Sequence, residues 1–165
     1  MTAPGRNRNW VWFFVALVVL GAMAISINWA YNARQQLTMD QLTAAEDRWD
    51  KAGPIDYDLA VEKTFQSSAA DGPTTDRIQV RVRGKKVVEA TMNGQPLERR
   101  LWEEYDVPGW FGFVERFLQM DTAPGAPRTF RTAEFDERTG QLLRFRRRVS
   151  GTHERQELVL RLTAF

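Results

Sequence analysis

Apolar positions dominate from Trp10 to Tyr31, WVWFFVALVVLGAMAISINWAY; beyond that they recur at helical spacing, then with period two, and then through the same cycle again. The stretch carries no charged residue. A hydrocarbon core of about 30 Å is crossed by roughly 20 apolar residues in a helix, and a helix satisfies its own backbone where no water is present. The pattern therefore predicts a transmembrane helix over 10–31. Trp10 and Trp12 mark one interface, and Trp29 and Tyr31 the other. Ser26 and Asn28 fall close to the second interface. A buried helix in a soluble core is the poorer reading, because a helix that is apolar all round needs packing partners on every side.

Arg6 and Arg8 precede this stretch and only Arg34 follows it closely. The positive-inside rule then leaves 1–9 as a cytoplasmic tail and exports the rest, as a single pass through the cytoplasmic (inner) membrane. Residues 32–38 read as a short tether and 39–165 as the exported domain. A cleaved signal peptide is the rival, with Arg6 and Arg8 as n-region, Trp12 to Leu20 as h-region and Ala22-Met23-Ala24 as cleavage site. The apolar run continues past that site, which favours an uncleaved signal anchor. Cleavage would leave a secreted domain.

Past the tether the period is helical. Thr38 with Gln41 forms a capping box, and Leu37 with Leu42 a hydrophobic staple. Leu42, Ala45, Trp49 and Ala52 make one apolar stripe, and Gly53-Pro54 ends it. From Ile55 the period is two: Ile55, Tyr57, Leu59 and Val61 face one way, Asp56, Asp58 and Glu62 the other. After the loop Ser67 to Thr75, Ile78, Val80 and Val82 alternate with Arg77, Gln79, Arg81 and Arg83. Gly84 marks a hairpin into a strand from about Lys86 to Met92, whose Val87-Val88 leaves its register open, and Asn93-Gly94 marks a further turn. Leu97 to Tyr105 fits a short strand or a covering loop.

A second cycle begins at Asp106, a helix cap followed by Pro108. Trp110, Phe113, Val114, Phe117 and Leu118 predict its buried face; Phe111 falls off that stripe, where an exposed ring would offer a contact surface, although core packing is the favoured reading for it. Strands follow at Thr129 to Asp136, Leu142 to Val149 and Glu154 to Thr163. The predicted class is α+β, in the order α-β-β-β-α-β-β-β. It places two amphipathic helices on one face of an antiparallel sheet of about six strands.

Composition narrows the chemistry. There is no cysteine, so disulfides, thiol nucleophiles, Cys-based zinc sites and a lipid-modified cysteine are excluded. The formal charge of +2 is carried by the N-terminal arginines; the exported part is close to neutral, which argues against nucleic acid as a partner. His153, the single histidine, lies in the turn Ser150 to Glu154, where turn composition explains its neighbours without a catalytic role. Asp56, Asp58 and Glu62 read as a solvated strand face rather than an acid–base pair or calcium site. Neither catalytic nor metal-ligating residues are expected, and no cofactor.

Charge is polarised along the chain. From Pro127 onward nine arginines meet five acids, whereas Gln35 to Ala126 holds eleven basic and sixteen acidic residues. Arg144, Arg146 and Arg148 line one strand face and present a fork suited to phosphate or carboxylate. They are the first candidate interaction surface, and Trp110 with Phe111 the second. The competing expectation is that Asp56, Asp58 and Glu62 lie across the same face and neutralise the arginines.

The pattern of Trp49, Ile55-Asp56-Tyr57, Val80-x-Val82-x-Gly84, the Phe113, Val114 and Phe117 stripe, and Phe135-Asp136 with Gly140 resembles a family of small exported or membrane-anchored bacterial domains of unknown function. The resemblance covers about Arg48 to Phe145. It implies export and the α+β fold and supplies no catalytic residue. Many such domains carry cysteines after the first strand, where this chain has Thr64-Phe65-Gln66. The expectation is a single-pass membrane protein with a non-catalytic extracytoplasmic binding domain. Its partners would be the lipid bilayer and an unidentified membrane or envelope protein. The alternative is a structural subunit of a membrane complex, packing through the small residues Gly21, Ala22 and Ala24.

Overall fold

A computed structural model describes residues 9–34 and 36–165, with side chains of the first helix described at Trp10 and over 12–23. The chain divides into two compact units, Met1–Gln36 and Leu37–Phe165.

In the first unit, Asn9–Arg34 is a 26-residue helix, α1. Among the described residues, no helix is long and apolar enough to cross a membrane. The predicted span extends well beyond Met23, and its remaining side chains, including the interface residues Trp29 and Tyr31, lie outside the described residues. So do Arg6 and Arg8. The helix runs on to Arg34, so Asn32, Ala33 and Arg34 of the expected tether are helical.

In the second unit, α2 (Met39–Ala52) starts as its capping box predicts. The backbone N–H of Gln41 donates to Thr38 Oγ1 at 3.3 Å, and that of Thr38 to Gln41 Oε1 at 3.1 Å. Leu37 and Leu42 are both buried beside it. The strands are β1 (Tyr57–Gln66), β2 (Thr74–Arg83), β3 (Lys86–Met92), β4 (Gln95–Pro96), β5 (Thr129–Phe135), β6 (Leu142–Val149) and β7 (Arg155–Ala164). They form one antiparallel sheet of seven strands in the order β4-β3-β2-β1-β7-β6-β5.

The seventh strand is β4. Asn93 (φ 52°) and Gly94 (φ 80°) make the left-handed pair of a tight hairpin, which returns the chain for two residues alongside Thr91 and Met92. Leu97 to Tyr105 is then neither strand nor open loop: Arg99–Glu104 is a 3-10 helix. Trp102 Nε1 donates to Leu97 O, and Trp110 Nε1 to Tyr105 O, pinning this segment to the fold. A bulge where Arg81 and Val82 meet β3 settles its register: Val87 pairs with Val82 and Ala90 with Val80, and Val88 is left exposed.

α3 (Val107–Thr122) is capped by Asp106, whose carboxylate accepts the N–H of Gly109 at 2.8 Å. Its buried residues are Val107, Trp110, Phe111, Val114 and Leu118. The buried face is thus rotated from the predicted one. Phe111 is 1% exposed and stacks on Phe135 at 6.2 Å between centroids. Phe113 and Phe117 take the flanks, beneath Lys63 and Arg147 respectively. An arc this wide contains more than one plausible centre, and the sheet selects among them. Ile55 is a second correction: it is 58% exposed, because β1 begins two residues later, at Tyr57.

Both helices contribute to one core with Tyr57, Leu59, Val61, Ile78, Val80, Val82, Phe145, Leu158 and Leu160. The sheet therefore has a covered face and an open one. The β5–β6 turn closes the core from the side. Gly140 (φ 77°) sits so close to α2 that a Cβ there would overlap the carbonyl of Ala45 and come within 2.8 Å of Arg48 Cβ.

Candidate functional site

Period two sends alternate residues of every strand to the open face, and the register decides which of them meet. Asp58 lies between β2 and β7 partners, with Arg83 Nη2 at 2.9 Å and Arg81 Nε at 3.7 Å. The Arg83 contact is an ion pair without hydrogen-bond geometry, since Asp58 Oδ1 has no hydrogen-bond partner. Glu62 faces Arg77 at 3.9 Å, Arg81 also reaches Glu89, and Asp56 accepts the backbone N–H of Gly84. Asp56, just before β1, and the β1 carboxylates Asp58 and Glu62 are thus engaged with β2 and its hairpin.

They do not neutralise Arg144, Arg146 and Arg148. In the strand order, β7 stands between β1 and β6, and neighbouring strands lie about 4.8 Å apart, so the two sets are two strands apart. On the open face, the acid that pairs with β6 is Glu157 of β7. Both Arg144 Nε (2.8 Å) and Arg146 Nε (2.9 Å) donate to its Oε1. Burial pushes the Glu157 carboxyl upward, but the hydrogen bonds from Arg146 and Arg144 outweigh it and hold the pKa below its ordinary value.

Arg148 has no such partner. It is directly opposite Arg155 of β7 on one side and Phe130 of β5 on the other. Neither Arg148 nor Arg155 has an ion pair or side-chain hydrogen bond among the described residues, and both are exposed. Like charges directly opposite one another weaken a sheet, so fold stability does not account for this pair. Arg128, also exposed and also without a side-chain partner among the described residues, adjoins them where the Ser150 N–H donates to its carbonyl. Elsewhere on the open face lies a shallow depression of about 340 Å³, lined by Asp58, Ala60, Gln79, Arg81, Arg161 and Thr163 among others.

The second candidate surface is not available: Trp110 and Phe111 are each 1% exposed. Trp10 and Trp12 are exposed on α1, and Trp29 and Tyr31 lie outside the described residues. His153 sits exposed in the β6–β7 turn, while its neighbour Glu154 turns to Arg147. No base–carboxylate pairing of His153 with Glu154 is formed. Asp136 is occupied in its own turn, accepting from the N–H and hydroxyl of Thr139 at 2.7 Å each. Among the described residues no cluster of three or more His, Asp or Glu side chains is placed to hold a metal ion.

Sequence reasoning missed the charged group on the covered face. Arg147 is 6% exposed and lies over the Phe117 ring. Its Nη2 donates to Asp121 Oδ1 at 2.7 Å, and its Nη1 to Glu154. Arg131 Nη1 is 3.8 Å from the other oxygen of Asp121, whose side chain is 2% exposed. Burial alone would lower the Arg147 pKa; the hydrogen bonds that it donates to Asp121 and Glu154 reverse that and raise it. The signal was present: Arg147 has the same parity as Phe145 and Val149, and Asp121 follows the buried Leu118 by three residues.

No protein-family model, no curated protein and no solved structure matches the chain. The functional reading accordingly rests on its own residues.

Proposed function

We propose that α1 anchors the chain in the cytoplasmic membrane as a single pass, with 1–9 inside. Leu37–Phe165 is then a non-catalytic binding module displayed on the outer side, with its open sheet face as the recognition surface. One observation carries this reading: a helix uncharged from Trp10 to Tyr31, whose side chains from Trp12 to Met23 are all exposed, precedes a domain that has its own core. So much exposed apolar surface calls for a nonpolar environment or a partner. The placement of Arg6 and Arg8 before it supports the orientation. The partners are the bilayer and a membrane or envelope protein, and nucleic acid is not among them.

Alkaline extraction of membranes from cells expressing the full chain tests the anchor. The chain stays in the membrane pellet, and its mature form keeps the residues before Ile25. Release into the supernatant, or a mature N-terminus at Ile25, contradicts the proposal and leaves a secreted domain.

A second reading, a structural subunit whose α1 packs on other helices, is favoured by Gly21, where an added Cβ would meet nothing within 4 Å. In sequence it is followed closely by the small residues Ala22 and Ala24. Exchanging 10–31 for an unrelated span separates the two. A binding module keeps its partner, and a helix-packed subunit loses it.

A further inference from the structure

The corner of the open face formed by β5, β6 and the start of β7 is built differently from the rest. Over β1 and β2, arginines and carboxylates alternate and pair. At the corner, Arg148 and Arg155 oppose each other directly, Arg128 adjoins them, Arg144 and Arg146 share the carboxylate of Glu157, and Glu134 of β5 stands opposite Arg144 without forming an ion pair, so five arginines meet two acids. The surplus is positive and unpaired. Phe130, 38% exposed, stands in the same cross-strand row and adds an apolar ring to the cationic cluster.

The corner is also where the chain joins the domain. The backbone N–H of Leu37 donates to Arg131 O of β5 at 2.9 Å, and Arg131 follows Phe130. In sequence, only Gln35 and Gln36 separate Leu37 from the end of α1. An anchored α1 thus tethers the domain by this edge, and tethering makes even weak contacts with the same bilayer effectively intramolecular.

We infer that this corner docks on anionic phospholipid headgroups of the membrane that holds α1. The inference rests on the anchor proposed above and adds the ligand class. Guanidinium forks match phosphate oxygens, and basic side chains next to an anionic membrane surface each contribute about a fivefold preference. Phe130 supplies the apolar contact that such interfaces favour. The unpaired Arg148–Arg155 row, which weakens the sheet, is explained by a phosphate-bearing surface that both arginines reach.

The chain has no cysteine, so Ser150→Cys in the β6–β7 turn accepts a single spin label. The full-length chain is placed in nanodiscs of phosphatidylcholine alone and of phosphatidylcholine with phosphatidylglycerol. The readout is label accessibility to a water-soluble relaxation agent. Accessibility falls severalfold in the anionic discs. Arg148→Gln with Arg155→Gln returns it to the neutral-disc value, in line with about fivefold per arginine, and high salt does the same. Equal accessibility in both discs overturns the inference and leaves the anchor standing. Failure to enter either disc overturns the anchor and the inference together. A fall produced in neutral discs by soluble polyglutamate, and not by phosphatidylglycerol, assigns the corner to an acidic protein and overturns the lipid assignment.

Discussion

Arg147 and Arg148 are neighbours on one strand, and they differ in almost everything that matters. Arg147 points to the covered face, is 6% exposed, and is held by Asp121 and Glu154 over the Phe117 ring. Arg148 points to the open face, is exposed, and faces Arg155 with no carboxylate between them. The covered face uses charge sparingly and satisfies it; the open face carries more than it satisfies. A buried charge left without its partner is strongly destabilising, whereas an exposed unpaired one is nearly neutral for stability. The first kind of residue reports on folding, and the second is spare for the docking proposed above.

The sharpest way to break this contrast is to remove Asp121. Asp121→Ala leaves Arg147 and Arg131 buried without their shared carboxylate and lowers unfolding free energy by about 3–5 kcal/mol in denaturant titration. Asp121→Leu with Arg147→Met and Arg131→Met recovers most of that loss, because well-packed apolar side chains replace the whole buried ionic group at little cost. A small effect of Asp121→Ala would mean that the group is open to water. Phe111→Ala is of comparable size, about 3–5 kcal/mol, as expected for a core aromatic; a loss below about 1 kcal/mol would return Phe111 to the surface.

Gly140→Ala comes next. The left-handed backbone alone accounts for about 1–3 kcal/mol, and the overlap with α2 adds to it. Glu157→Gln tests the better-paired part of the open face. The folded-state pKa of Glu157 is depressed, so its contribution is present above the ordinary carboxylate range and is lost as pH falls through the folded value. At neutral pH the substitution lowers stability by about 0.5–1 kcal/mol, small because the pair is exposed. It also flattens the acid-side slope of a stability–pH curve. Smallest of all, Arg148→Gln leaves the melting midpoint unchanged or slightly raised, within about 0.5 kcal/mol, since it relieves a like-charge pair. A large loss would show that Arg148 belongs to the fold.

The same contrast explains what could be read in the chain. The α+β class, the Thr38 capping box and the alternation of β1, β2, β6 and β7 were legible because each depends on residues close in sequence. The alternation even separates Arg147 from Arg148. What was not legible depends on strand order. Sequence does not state that β7 lies between β1 and β6, so it could not show that Glu157, and not Asp58 or Glu62, would meet Arg144 and Arg146. Nor could it rotate α3 so that Phe111 faces Phe135, because Phe113 and Phe117 fit the helical period and Phe111 does not, and only the sheet decides which arc is covered. The two-residue strand β4 is too short to carry a period, and only its Asn93-Gly94 turn announced it.

The central claim is that a membrane-held α1 displays the domain outside the cell's inner compartment. Ala70 lies exposed in the β1–β2 loop, and Ala70→Cys would be the chain's single thiol. The most direct measurement is modification of that thiol by a membrane-impermeant maleimide in intact cells, followed by alkaline extraction. The account predicts full modification without permeabilisation, with the modified chain retained in the membrane pellet. Modification only after permeabilisation, or a modified chain recovered in the soluble fraction, would contradict it.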